Sequence, residues 1–168
     1  AFAGRENEDE PMTDEERKML PVAKDIAEQI KSGKSGLGEV EIVGAEAIVF
    51  DPAVRIAGTI DLVARAADGT VILVDHKTNR DLYKRNGGFH GPASGIDATA
   101  FGDYELQLNL YRRLAVRNGF FGLNEDTPVK MFINYLDHEG RQKFVPVSDR
   151  TDVVDEMVRY AHGHLARF

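Results

Sequence analysis

Three stretches in the first half of the chain, Val40 to Phe50, Arg55 to Ala66 and Thr70 to His76, are separated only by short links that contain Asp51-Pro52 and Asp68-Gly69. Both dipeptides are turn formers, and Asp-Gly between two β-patterned runs is a strong hairpin signal. The spacing predicts a three-strand meander. Its third strand is the most constrained, because Val71-Ile72-Leu73-Val74 is apolar without a break and has to be buried. The same strand then ends in Asp75-His76-Lys77, two opposite charges at the margin of a sheet.

The remaining elements are read around that meander. Residues 1–12 are polar, acidic and expected to be loose. Thr13 with Glu16 forms a capping-box pattern, opening a helix to about Lys31 with Leu20, Ala23, Ile26, Ala27 and Ile30 on one face and Pro21 as a kink point. Residues 79–102 form a long glycine-rich segment with no element of their own, a length usually reserved for functional or mobile loops. Asp103 is the expected N-cap of a helix from Tyr104 to Asn118, with an apolar stripe of Leu106, Leu110 and Leu114. Val129 to Leu136 and Lys143 to Val147 give two more strands, and residues 151–166 a closing helix. The expected fold is α/β (α+β): one domain over residues 13–168, with a central mixed sheet of about five strands flanked by helices.

Composition narrows the chemistry. The chain has 168 residues, no cysteine and a net charge of −7. Disulfides, thiol catalysis, iron–sulfur clusters and cysteine-based zinc sites are therefore excluded. Any metal must sit on oxygen or imidazole nitrogen. Bulk charge does not favour coating nucleic acid, which leaves local grip on a phosphate backbone open. No apolar run approaches the length of a membrane span. The acidic start without an apolar segment predicts no secretory signal, hence a cytoplasmic protein, and the opening Ala1 predicts a fragment of a longer one.

Side chains alternate along a strand, so Asp75 and Lys77 share one face and His76 the other. Alone, Asp75-x-Lys77 reads first as a salt bridge at a strand end. Asp61 shifts that reading, since a short hairpin can set it beside Asp75. Two adjacent carboxylates repel unless a dication lies between them. Magnesium suits such a pair, because it takes one or two carboxylates and leaves its other positions to water and substrate phosphate. Lys77 then adds positive charge where a phosphoryl transition state is most negative. Gln107 and Tyr111, four apart on a helix, present one polar edge that could reach the phosphate or orient Lys77; an ordinary amphipathic helix also explains them.

Gly58-Thr59-Ile60-Asp61, Asp75-His76-Lys77-Thr78 and Gln107-x-x-x-Tyr111, in this order and spacing, resemble the PD-(D/E)XK nuclease superfamily, and more narrowly its RecB-like, phage-type exonuclease branch. The resemblance spans about residues 40–117, and the Tyr104-x-x-Gln107-Leu108 run belongs to it. It implies a restriction-endonuclease-like core and a Mg²⁺-dependent DNA nuclease, with Mn²⁺ as a substitute, acting as an exonuclease on linear ends or single strands. Asp61, Asp75 and Lys77 would be catalytic. Asp61, Asp75 and the main-chain carbonyl of His76 would hold the metal, with Glu46 as an auxiliary ligand. Gln107 and Tyr111 would contact DNA or brace the site. The resemblance further implies roles in recombination or repair, a phage or bacterial setting, and a recombination or replication protein as partner. One departure stands: the branch carries a His or Glu on its N-terminal helix, and neither Glu28 nor Glu16 sits in matching surroundings. That ligand is expected upstream of Ala1 or is missing. A missing ligand implies the alternative of a weakened nuclease or a nucleic-acid- or protein-binding module; a site-specific endonuclease is the other alternative.

Positive charge clusters locally at Lys77, Arg80, Lys84 and Arg85, and again at Arg112, Arg113 and Arg117, where it could hold a phosphate backbone or be plain solvated charge. Tyr83 and Phe89 in the 79–102 segment could stack on unpaired bases. Gly33-Lys34-Ser35 lacks the strand context of a phosphate-binding loop. His162 and His164, two apart on a helix, make a poor metal pair, and His90 is expected in solvent.

Overall fold

The structure is a computed structural model, and it describes residues 38–78, 81–85, 87–137, 139 and 141–165, with residues 28 and 32 besides. The helix expected over 13–31, the Gly33-Lys34-Ser35 loop and Arg80 lie outside the described residues, apart from Glu28, which is helical and exposed.

The meander forms as its turns dictate. Strands β1 (Val40–Asp51), β2 (Ile56–Ala66) and β3 (Val71–Lys77) pair antiparallel in sequence order. At the second turn Gly69 takes a φ of +86° that a side chain would resist, and the Asp68 carboxylate accepts the Thr70 N–H at 2.9 Å. The chain then crosses through helix α1 (Ala100–Arg117) into β4 (Val129–Leu136), which lies parallel to β3. Strand β5 (Gln142–Pro146) returns antiparallel on β4, and helix α2 (Thr151–Leu165) ends the described chain. The result is the five-stranded mixed sheet expected from sequence, in the order β1-β2-β3-β4-β5. Among the described residues no helix is long and apolar enough to cross a membrane.

Strand β3 is the interior of this sheet, and Val71 to Val74 are all but fully buried. Val71 and Leu73 belong to the main core beside Ile60 and Val63 of β2, Met131 and Ile133 of β4, and Leu108, Leu114 and Ala115 of α1. Ile72 and Val74 belong to a second cluster with Leu62, Ala64 and Phe132. Helix α1 is buried on two sides. Leu108, Leu114 and Ala115 face the sheet core, while Leu106 and Leu110 pack with Val154, Met157 and Val158 of α2. The single leucine stripe expected from sequence therefore divides between two neighbours.

Two expectations are corrected around the start of α1. The N-cap is Thr99, not Asp103: its hydroxyl accepts the Gly102 N–H at 3.0 Å, and Asp103 sits in the first turn where a carboxylate meets the positive end of the helix. The segment before it is also more structured than its composition suggested. Leu82 is buried, its carbonyl accepts the Phe101 N–H, Arg85 bridges Thr99, and Gly91–Ala93 forms a 3₁₀ turn. Glycine content hid these anchors because they are single side chains and backbone bonds without a period.

A buried polar network fixes α2 to α1. The fully buried Asn109 side chain donates to the carbonyls of Glu105 and Ser148 and accepts the Arg150 N–H at 2.8 Å. The Glu105 carboxylate accepts the Ser148 N–H and pairs with Arg150 Nε at 3.1 Å. At the far end, the turn after β4 is closed on Asp137, which accepts N–H groups from Glu139 and Arg141 and the Arg141 guanidinium at 2.7 Å.

Removing the Thr99 cap by Thr99→Ala is expected to lower stability by about 1 kcal/mol in urea unfolding. The Arg141 side chain, then its backbone N–H, hold Asp137 down to about 2, against an ordinary 3.8. A depressed carboxylate stabilises the fold above its ordinary titration range and loses that contribution as pH falls toward 2. An NMR titration of the Asp137 carboxyl should therefore give a midpoint near 2, moving up toward 3.8 in Arg141→Ala.

Candidate active site

The site is built where the β2–β3 ladder ends. Backbone pairing runs through Leu62↔Val74 and stops. One step beyond, the Asp61 carboxylate accepts the His76 N–H at 2.7 Å. A side-chain oxygen thus takes over from the ladder, and it ties Asp61 to the strand that carries Asp75 and Lys77.

Asp75 continues the Val71–Leu73 side of β3 and is 3% exposed. An ionised carboxylate so deep needs a partner, and Lys77 supplies it, with Nζ 2.6 Å from Asp75 Oδ2. The Lys77 ammonium also lies 4.6 Å from the centre of the Tyr104 ring, a cation–π contact from α1 that fixes a long flexible side chain. Burial pushes the Asp75 carboxyl up; the Lys77 hydrogen bond opposes the shift and the Asp61 charge reinforces it. His76 faces the other way, as alternation requires: Nδ1 meets Asn134 Nδ2 at 2.8 Å, and Gln142 in turn donates to Asn134. Its imidazole is held below its ordinary value by burial, with Asp61 opposing.

Helix α1 supplies the second wall. Gln107 Nε2 donates to the Tyr111 hydroxyl at 2.7 Å, so the four-residue spacing read from sequence is a real contact. Tyr111 explains Gly58: a Cβ there would stand 2.0 Å from Tyr111 Cε1. The glycine of Gly58-x-x-Asp61 is therefore the gap through which the tyrosine ring approaches β2. Glu46 falls opposite Asp61 in the β1–β2 ladder, between the Ala45↔Leu62 and Ala47↔Ile60 pairs. Its φ of +51° is in the left-handed region that a glutamate rarely adopts, and its side chain is exposed.

The basic residues divide. Lys84 and Arg85 are exposed, with Arg85 4.0 Å from Asp97. The arginines of α1 carry ion pairs: Arg112 binds Asp149 at 2.7 Å and the Thr151 hydroxyl, Arg113 binds Asp155, and Arg117 approaches Asp51 at 3.5 Å. Arg112, expected on a phosphate backbone, is held by these contacts at the start of α2. His90 is exposed as expected, and His162 meets the Ala53 carbonyl. Sequence reasoning assigned no role to the Tyr104 ring or the Glu105–Asn109 network. The Tyr-x-x-Gln spacing was the only available signal for the first. The second depends on Ser148 and Arg150, in the link between β5 and α2, arriving from about forty residues away.

The matching family model covers residues 2–167 and describes the PD-(D/E)XK nuclease superfamily. The chain belongs to the PD-(D/E)XK nuclease superfamily. A crystal structure from Eubacterium rectale, provisionally described as an exonuclease, has the same fold with a TM-score of 0.53 at 13% identity. The match covers 96% of this chain and 56% of that one, so the chain spans little more than half of its length. Among curated proteins no relative matches the sequence.

Superfamily members work with divalent metal ions, and the residues present fit one. Two carboxylates meet at a rim, and the buried one is pushed up by its surroundings, the situation a dication relieves. Among the described residues no group of three or more Asp, Glu or His side chains converges. A hard cation that takes one or two carboxylates and fills its sphere with water and phosphate oxygens suits this donor set better than a caged ion.

Gly58→Ala is expected to force the Tyr111 ring aside at a cost of about 1–3 kcal/mol, the usual penalty of overpacking. Denaturant unfolding should show that loss. Gly58→Ala/Tyr111→Ala should recover part of it, a coupling absent if the two do not touch.

Proposed function

We propose that this protein is a Mg²⁺-dependent nuclease that hydrolyses phosphodiester bonds of DNA, working as an exonuclease on strand ends. The observation that supports this most directly is the meeting of Asp61, Asp75 and Lys77 at one rim of the sheet, beside Tyr104, Gln107 and Tyr111 of α1. Asp61 and Asp75 would hold the metal, with the main-chain carbonyl of His76 as a further donor and Glu46 as an auxiliary one. When bound there, Mg²⁺, or Mn²⁺ in its place, supplies Lewis-acid polarisation of the scissile phosphate.

The chain's own residues do the rest. Lys77 brings an ammonium to the phosphate oxygens as negative charge accumulates on them. The Asp75 contact and the Tyr104 ring hold that ammonium before substrate arrives, which lowers the reorganisation needed in the transition state. Gln107 and Tyr111 brace each other as a polar edge for the substrate strand. Lys84 and Arg85, with Arg80 between them and Lys77 in sequence, would meet the phosphate backbone. An end-directed mode agrees with the description of the E. rectale protein. The same reading places the protein in recombination or repair within a bacterial or phage-infected cytoplasm, alongside a recombination or replication protein. The sparse donor set favours a second reading, a binding module on the same fold.

End-labelled linear DNA should be degraded with Mg²⁺ and untouched in EDTA, while a closed circle survives; nicking of the circle would reject end-directed action. Asp75→Asn and Lys77→Met should each lower the cleavage rate by about a hundredfold to a thousandfold, as loss of a key electrostatic group does. Mg²⁺ should raise the melting temperature of the wild type, as any ligand of the folded state does, and Asp75→Asn should abolish that rise. Full activity in either variant would defeat the assignment.

A further inference from the structure

We propose that the cleft between α1 and α2 is a subsite for one unpaired nucleobase, that of the nucleotide whose phosphate lies at Lys77. The inference rests on the nuclease reading for the position of that phosphate. The cleft has a volume of about 660 Å³ and is walled by Phe89, Leu106, Leu110 and Met157, with Ala57 and Ala161 exposed at its margin. A largely apolar cavity of this size, with a few polar groups, is the usual form of a small-ligand site. Its polar lining residues are Asp103, Gln107, Tyr104 and Tyr111.

Tyr104 connects this cleft to the catalytic rim. It lines the cavity, and its ring carries the Lys77 ammonium at 4.6 Å. A site for an anion and a slot for a flat, partly polar ring are therefore one side chain apart. A nucleotide has that same composition, a phosphate joined through one sugar to an aromatic ring with hydrogen-bonding edges. Aromatic and aliphatic walls bind any base by stacking, while Asp103 and Gln107 face its donors and acceptors. A base still paired and stacked in a duplex cannot enter between two helices, so an occupant must be unpaired or extruded. The cleft thus selects single-stranded or frayed ends.

The test uses a single-stranded oligonucleotide with 2-aminopurine at its terminal nucleotide or, as control, in the middle, and Ca²⁺ in place of Mg²⁺ to hold cleavage back. Wild-type protein should change the fluorescence of the terminal probe and not of the central one. Ala161→Trp, which fills the mouth from an exposed position, should abolish that change with the melting temperature unaltered, and should lower kcat/KM on single strands by about tenfold, within the range that stacking of one base supplies. In Mg²⁺, a terminal abasic nucleotide should slow the wild type by a similar factor and Ala161→Trp no further. Equal signals from both probes, a signal that survives Ala161→Trp, no binding at all, or abasic ends cleaved at the normal rate would each overturn the subsite. Abasic ends cleaved at the normal rate would leave the nuclease reading standing. Failure to cleave any substrate would sink the nuclease reading instead, and the terminal fluorescence change would then decide the cleft by itself.

Discussion

The hydrogen bond from the His76 N–H to the Asp61 carboxylate holds the candidate site in place. Backbone groups inside a sheet need partners, and at the end of the β2–β3 ladder the partner is a side chain. The bond does two things at once. It satisfies the His76 N–H on the β2 side of a strand that stays paired with β4, and it fixes a carboxylate beside the Asp75–Lys77 pair.

Around that bond the protein accepts local costs. Asp75 is buried against the Lys77 ammonium, and burial pushes its carboxyl up. Glu46, next to Asp61 across the ladder, adopts a left-handed backbone. Gly58 leaves a gap so that Tyr111 can approach the sheet. Each is unfavourable for folding alone, and all lie within a few residues of the same strand margin, where strain and unbalanced charge commonly accompany function. The well-packed β3 and the Glu105–Asn109 network supply the rigidity that maintains them.

Much of this was legible in the chain itself. Strand positions followed from period-two patterning and two turn dipeptides, and β4 falls on the residues the pattern named. The acids and the lysine were legible because hairpin geometry converts a sequence spacing into neighbours. The start of α1 was misplaced because Thr99 and Asp103 are both good caps, and only the bond from Gly102 chooses between them. The pairing of Arg112 was not legible because its partners Asp149 and Thr151 lie almost forty residues further along the chain.

By itself the sequence determined the meander, the alternation that sets Asp75 and Lys77 against His76, and the Gln107–Tyr111 edge. All of these are local, set by strand and helix periods or by a short hairpin. Tertiary structure alone decided that Tyr104 would lie beneath the Lys77 ammonium, that Arg112 and Arg113 would pair with Asp149 and Asp155 and Arg117 with Asp51, and that a cleft would open beside the rim carrying Asp75 and Lys77. Those contacts join residues far apart along the chain, and no period in the sequence encodes the distance between two packed elements.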